Sequence, residues 1–199
     1  MTTTLQIANR ALLSLSLSSI NSLEAQTTPA RVMYEAVDWS ISTVLTERNW
    51  VYSTRTATLT ASVEETPPDT EYKYAFTLPS NVDRLVGVLD TGLSISEDYR
   101  MEGKLIYSNL ATLIVRYISH SIELVNIPHK LADIIAVHLA ASTCLRLTED
   151  RRLQGELENN YKILVSNYSV SDAQQKAPQQ YMNDNSSGFI GAHKGYGFI

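Results

Sequence analysis

The spacing of apolar residues changes twice along this chain, and the two changes limit the folds that it can adopt. Before about residue 50, apolar side chains recur every three or four residues, which is typical of amphipathic helices. The stretch TRTATLTA, from Thr54 onward, instead alternates polar and apolar residues, which is typical of a half-buried strand. Helical spacing returns near residue 121. The sequence therefore predicts an α+β fold, with a helical bundle formed by N- and C-terminal helices and an inserted antiparallel β module.

The same pattern predicts where each part begins and ends. We expect a helical domain over residues 1–49 and 121–172, a β module over residues 50–120, and a flexible C-terminal arm over residues 173–199. Five or six short strands are expected in the module, where they form an antiparallel sheet or a small open barrel.

Individual residues on the predicted helices have plain structural interpretations. Pro29 follows a threonine and fits the start of the second helix, because the N–H that it lacks is not needed there. Trp39 keeps the phase of that helix. His138 lies on an apolar stripe, where a hydrogen-bonded core or interface histidine is favoured over a metal ligand. Cys144, the one cysteine, fits a buried apolar position and cannot form an internal disulfide.

The charge of the chain argues against binding nucleic acid through a basic surface. The sequence has 16 Lys and Arg against 21 Asp and Glu, a net charge of −5, and its basic residues are not clustered. The N-terminus lacks the pattern of a signal peptide, and the apolar runs are short for a bilayer span. We therefore expect a protein made in a cytosol, without a membrane contact.

Sequence motifs for catalysis, metal binding or phosphate binding are not found. None of the four histidines lies two to four residues from another histidine or from the cysteine, so zinc-ligand spacing is missing. Glycine-rich phosphate loops and the nucleophile elbow are also missing. Neighbouring acidic residues fall in predicted loops, with nothing to desolvate them for acid–base work. These pairs are Glu64–Glu65, Glu97–Asp98 and Glu149–Asp150. We expect a protein that is not an enzyme, with no catalytic residue, metal or cofactor.

Several motifs occur in a characteristic order along residues 3–172. They are IANRALL in the first helix, ERNW at the end of the second, FTLPSNVDRLVGV, YRMEGKLIYSN and LIVRYI in the β module, then IPHKLADIIAVHLAASTCLRLTED and LENNYKIL. In this order the chain resembles the tail tubular protein A family, the head–tail adaptor or gatekeeper proteins of short-tailed bacteriophages. The residues that carry the resemblance are Trp50, Leu78, Pro79, Arg84, Gly103, Leu105, Tyr117, Pro128, Ala132, Ala136, Ala140 and Tyr161. One departure is SLSLSSINSL after the first helix, where relatives tend to have a glycine turn.

The resemblance implies a structural virion protein at the head–tail junction, synthesised in the host cytoplasm. It implies a homo-oligomeric ring of about twelve copies on the portal protein, joined to the tail nozzle and also to the tail fibres. The ring would extend the DNA channel, and DNA would pass without sequence-specific binding because an acidic lumen repels phosphate. The alternatives are a tail-associated cell-wall hydrolase and a small protein-binding module that forms no ring.

The C-terminal arm ends in NSSGFIGAHKGYGFI, which combines glycines with large apolar residues. Glycines let such an arm adapt but make it costly to order, whereas aromatic side chains are typical anchors of interfaces. We therefore expect the arm to dock on the portal or on a neighbouring subunit; a disordered tail with incidental aromatic residues is the alternative. The expected contact residues are Phe189, Ile190, Tyr196, Phe198 and Ile199.

Overall fold

The computed structural model of the chain describes residues 2–62, 67–68, 71–89, 96, 98–119 and 124–176. The elements in these ranges are α1 (Thr4–Ser14), α2 (Thr28–Glu47), β1 (Thr54–Thr60), β2 (Tyr74–Thr77), β3 (Val82–Leu89), β4 (Tyr99–Glu102), β5 (Leu105–Ser108), β6 (Thr112–Ser119), a 3-10 turn (Leu124–Asn126), α3 (His129–Thr148) and α4 (Arg151–Lys176). The predicted α+β fold, a helical bundle with an inserted β module, is confirmed.

Short polar side chains begin three of the four helices. Thr3 caps α1 in a reciprocal pair of hydrogen bonds with Gln6. Thr27 caps α2, so that Pro29 is the second helical residue, one position later than predicted. The carboxylate of Asp150 accepts hydrogen bonds from two backbone N–H groups in the first turn of α4. Side chains next to the first turn therefore specify where these three helices start.

The central element of the bundle is α3, which packs against α1, α2 and α4. Its side chains are buried on nearly every side of the helix, from Leu131 to Cys144. By length and composition alone α3 could span a bilayer, with a window hydropathy of 1.4, but 61% of that window is buried inside the fold. Its apolar character is thus that of the core helix of a bundle.

The described strands of the β module form two three-stranded antiparallel sheets rather than one sheet or barrel. Their orders are β1-β6-β3 and β2-β5-β4. Apolar side chains of both sheets, including Leu59, Phe76, Ile106 and Leu113, form one core that is separate from the core of the helical bundle. The alternation predicted for β1 is found, because Leu59 is buried whereas its threonine neighbours in sequence are exposed.

Three of the described residues outside the helices and strands have left-handed backbone conformations: Gly103, Ser16 and Glu149, which follows the last residue of α3. Gly103, between β4 and β5, has a φ of 60°, as its place in a tight hairpin requires. Ser16, just after α1, has a φ of 58°, a conformation that costs a residue with a Cβ about 1 to 2 kcal/mol. Serine therefore occupies a position in the turn after α1 that glycine would adopt without strain.

The last described helix continues beyond the predicted start of the arm. Whereas the arm was expected from residue 173, α4 runs to Lys176. Residues 177–199, and with them all five predicted contact residues of the arm, lie outside the described part of the chain.

Candidate functional site

The segment that joins α2 to β1 is held against the helical bundle. Trp50 is 1% exposed, and its indole N–H donates to the carbonyl oxygen of Val44 at 2.7 Å. The ring of Trp50 also lies 5.3 Å from that of Tyr168. The backbone N–H of Val51 donates to both carboxylate oxygens of Asp172, at 3.1 and 3.2 Å. The path into the β module is therefore fixed to both α2 and α4.

A further contact between the two parts of the fold comes from Arg84 on β3. Its guanidinium group donates to Oδ1 of Asn49 at 2.7 Å and to the carbonyl oxygen of Thr46 at 3.4 Å. A cation at this end of a helix interacts favourably with the helix carbonyl groups. Arg84 thus connects the β module to the end of α2.

An open cavity of about 360 Å³ lies beside this junction. Charges of both signs line it, with Glu47 and Asp172 facing the cavity alongside Arg48 and Arg84. This mixture of charges favours neither an anionic nor a cationic ligand. We therefore interpret the cavity as a gap left where α2, β3 and α4 meet, and not as a binding site.

A groove lies over α3, between α2 and α4. We call it the α2–α4 groove and define it by Trp39 and Glu47 on α2, His138 on α3, and Glu158 and Tyr161 on α4. Trp39 keeps the helical phase of α2 as predicted, yet it is 59% exposed. The spacing placed Trp39 in phase with Val32 and Ala36, but the buried face of α2 is centred on Met33, Val37, Ser40 and Val44, so Trp39 lies at the surface.

His138 lies between the two other rings of the groove. Its ring centroid is 5.4 Å from that of Trp39 and 5.2 Å from that of Tyr161, with interplanar angles of 40° and 55°. Nδ1 is buried and has no hydrogen-bond partner among the described residues. Burial lowers the pKa of His138 below its ordinary value of 6.5, against the smaller opposing effect of the Glu47 charge. The neutral imidazole is therefore the favoured form.

Tyr161 and Glu47 close one end of the groove. The hydroxyl of Tyr161 donates a hydrogen bond to Oε2 of Glu47, which joins α4 to α2. Burial, this hydrogen bond and the charge of Glu47 all raise the pKa of Tyr161, whereas Arg48 opposes them. The phenol stays protonated, so the charge at this position is that of the carboxylate.

Polar groups line a cavity of about 260 Å³ in the floor and α4 side of the groove. Ser142 and Gln154 supply neutral oxygen acceptors, Glu158 a carboxylate and Lys162 an ammonium group. Near the opposite end, Arg146 of α3 donates to Glu35 of α2 at 3.0 Å, and the two charges offset each other. The groove thus combines aromatic faces with charged groups of both signs.

The acidic pairs seen in the sequence do not form a catalytic site in the described part of the chain. Asp150 caps α4, Glu149 ends α3 with a φ of 57°, and Asp98 is exposed. The other three members, Glu64, Glu65 and Glu97, lie outside the described residues. Within the described ranges there is also no group of three or more His, Cys, Asp or Glu residues that could hold a metal ion.

Comparison of the chain with protein-family models and with curated proteins gave no match.

Sequence reasoning singled out His138 and Tyr161 separately, but not the groove that they form. The partners Glu47 and Tyr161 are 114 residues apart, and no local spacing brings them together. The exposure of Trp39 was not predicted either, because the spacing placed Trp39 in phase with apolar residues of α2. The recurrence of apolar residues every three or four positions on all three helices is the one signal that bears on the groove, and it does not specify which helices are neighbours.

Proposed function

We propose that this protein is a head–tail adaptor subunit of a short-tailed bacteriophage, which assembles as a ring of about twelve copies beneath the portal. In this role it joins the portal to the tail nozzle and fibres and continues the DNA channel. One structural observation supports the proposal. Large apolar side chains are exposed on more than one helix of a well-packed bundle.

These exposed side chains lie on different helices. Tyr34 and Trp39 project from α2, and Ile163 and Val170 project from α4. A closed ring is built from heterologous contacts, in which two different surfaces of each subunit meet. Exposed apolar side chains on both α2 and α4 suit such contacts.

Residues that carry the family resemblance lie where they shape the fold. Trp50 and Arg84 hold the junction between the bundle and the β module, and Gly103 makes the β4–β5 turn. Pro128 directly precedes α3. The resemblance therefore concerns positions with a physical role, which supports an adaptor-like arrangement of bundle and module.

The negative net charge suits a protein that surrounds DNA without binding it tightly. The net charge is −5, so the field around a ring of many copies would repel phosphate groups. Such a lumen lets DNA slide, whereas a basic lumen would retain it through counterion release.

The proposal is tested by native mass spectrometry and sedimentation of the purified chain, alone and mixed with the portal ring of the same phage. A discrete complex with about twelve copies per portal is the expected result. Ile163→Glu should weaken assembly, and Ile163→Leu, which keeps the apolar surface, should not. Folded chain and folded portal that show no association would rule out the adaptor function and favour the small binding module.

The C-terminal arm is part of the proposal. We propose that Phe189, Ile190, Tyr196, Phe198 and Ile199 dock on the portal or on a neighbouring subunit. Deletion of residues 186–199 should then weaken portal binding by at least about tenfold, as expected when aromatic anchors are lost. An unchanged affinity would assign the arm no part in assembly.

A further inference from the structure

We propose that residues 186–199 of the C-terminal arm fold back in the free chain and cover an exposed strip of the chain's own α4 helix. We call this strip the outer α4 face and define it by exposed residues that share one side of the helix, which are Asn160, Ile163, Asn167, Val170 and Gln174. The adaptor proposal gives the arm a partner in the assembled particle, whereas this inference concerns the chain by itself.

The outer α4 face carries large apolar side chains that the described fold leaves uncovered. Ile163 is 58% exposed and Val170 is 61% exposed. They lie about two turns apart on the same side of the helix, so that one segment can contact both. Helix formation does not explain them, because β-branched residues form helices less well than alanine, leucine or lysine. A segment that covered both side chains would gain from burying their apolar surface.

The outer α4 face and the arm match in polarity. The residues of the face carry no charge, and their Asn and Gln side chains offer amide donors and acceptors to the backbone of an adjacent segment. Among Asp, Glu, Lys and Arg, residues 186–199 contain only Lys194, and five of their side chains are large and apolar or aromatic. An uncharged segment on an uncharged face removes few strongly hydrated groups from water.

The length and origin of the arm bring it within reach of this face. The last described residue of α4 is Lys176, and Pro178 follows, a residue that is common after a helix end because it does not continue the helix. Ile163 precedes Lys176 by about 20 Å of helix. Phe189 follows Lys176, and the chain between them spans at most about 45 Å. The arm is therefore long enough to return to Ile163.

Attachment to the same chain favours this contact over the same contact between two molecules. A short tether gives an effective concentration on the order of millimolar, above the micromolar concentrations at which purified proteins are usually studied. A contact with an intrinsic Kd on the order of millimolar is therefore formed in about half of the molecules. The arm of the same chain, rather than that of a second copy, is thus the expected occupant.

The α2–α4 groove suits the arm less well. Glu158 and Lys162 line its cavity, and an apolar segment would have to displace water from both charges at a cost in free energy. Trp39 already packs against His138, so part of its ring is covered without the arm. The outer α4 face imposes neither condition.

NMR of methyl groups tests the contact in the full chain. Ile163 and Val170 report on the outer α4 face, and Leu13, which is 74% exposed on α1, is the matched control. Deletion of residues 186–199 should shift the methyl signals of Ile163 and Val170, because it uncovers them. The signals of Leu13 should stay in place.

Two comparisons identify the side chains and the molecule that make the contact. Phe189→Ser combined with Phe198→Ser should reproduce the effect of the deletion, whereas Met182→Ser, which lies before the deleted segment, should not. A synthetic peptide of residues 186–199, added to the shortened chain, should restore the original signals with a Kd on the order of millimolar. The signals of the full chain should not change on dilution, because the contact is within one molecule.

Three results would overturn the proposal. Ile163 and Val170 signals that do not respond to the deletion would show that the arm does not cover them. A response of equal size at Leu13 or at the Trp39 indole would place the arm on another surface or on none in particular. A response that fades on dilution would assign the contact to two copies of the chain.

Failure here is distinguishable from failure of the adaptor function. The NMR comparison uses the purified chain alone, whereas sedimentation measures whether the chain joins the portal. An uncovered outer α4 face together with an intact portal complex would remove this inference and leave the adaptor function. One consequence rests on the adaptor function: the arm must leave α4 before Ile163 can contact a neighbouring subunit.

Discussion

Asp172 and Val51 are 121 residues apart in the sequence, yet both carboxylate oxygens of Asp172 accept a hydrogen bond from the backbone N–H of Val51. Asp172 is buried near the end of α4, and Val51 begins the path into the β module. One side chain of the last described helix therefore determines how the chain leaves the bundle after α2.

Replacing Asp172 with alanine should lower the free energy of unfolding by about 1 to 2 kcal/mol, because a partly buried N–H then loses its acceptor. Asp172→Asn should cost less, since the amide oxygen can still accept. Urea denaturation followed by circular dichroism measures both. Asn160→Ala, an exposed change on the same helix, is the control and should be nearly neutral. Equal effects of the alanine variants would remove the role assigned to Asp172.

Trp50 and Trp39 should differ in how much stability each loses on the same substitution. Trp50→Phe removes a buried indole N–H bonded to Val44 and leaves a small cavity, so we expect a loss of about 2 kcal/mol in unfolding free energy. Trp39→Phe changes an exposed ring and should cost less than about 0.5 kcal/mol. Thermal and urea unfolding of both variants is the measurement. A comparable loss in both would contradict the burial described for them.

The turn after α1 should be improved by glycine. Ser16 has a φ of 58°, and relief of that strain, less the extra entropy that glycine loses on folding, leaves a gain of up to about 1 kcal/mol for Ser16→Gly. Gly103→Ala is the reciprocal change at a φ of 60° and should destabilise by about 1 to 2 kcal/mol. An added Cβ at Gly103 meets no atom within 4 Å, so the whole cost is conformational. Chemical denaturation measures whether Ser16→Gly raises, and Gly103→Ala lowers, the free energy of unfolding.

Stability should depend on pH through His138. Its pKa in the folded chain lies below the ordinary value of 6.5, so the unfolded chain binds the proton more tightly and protonation favours unfolding. The unfolding free energy should therefore be unaffected by this group well above pH 6.5 and should fall as the pH drops through and below 6.5.

The charged and titratable groups that face His138 are Glu47, Tyr161, Glu158 and Lys162. His138→Gln removes the titration and keeps a polar side chain, so the slope of stability against pH between about 5 and 7 should flatten. Urea unfolding at several pH values gives this slope. An unchanged slope in the variant would assign the pH dependence to the carboxylates instead.

The fold was predictable because local patterns specify most of it. Thr27 and Pro29 mark the start of α2 through backbone chemistry that acts within one turn. The alternation around Leu59 reflects the period of a strand whose two faces differ in burial. Such signals survive in a single sequence because each depends on residues that are close together in the chain.

The division of the β module into two sheets was not predictable in the same way. Strand partners such as Phe76 and Ile106 pair across long stretches of sequence, and alternation shows which face is buried without showing which strand lies alongside. The groove was not predictable for the same reason, because Trp39, His138 and Tyr161 lie on three different helices whose packing the sequence pattern does not specify. Tertiary packing, rather than periodicity, decides that Trp39 is at the surface.

The placement of α3 after the β module has a consequence for how the chain is made. When α1 and α2 leave the ribosome, the helix that covers their apolar faces has not yet been synthesised. The β module pairs within its own span and can form first, whereas the bundle must close a long loop at an entropic cost. The nascent chain therefore carries two uncovered amphipathic helices until translation has passed α3. During that interval their exposed apolar faces make the nascent chain prone to aggregation.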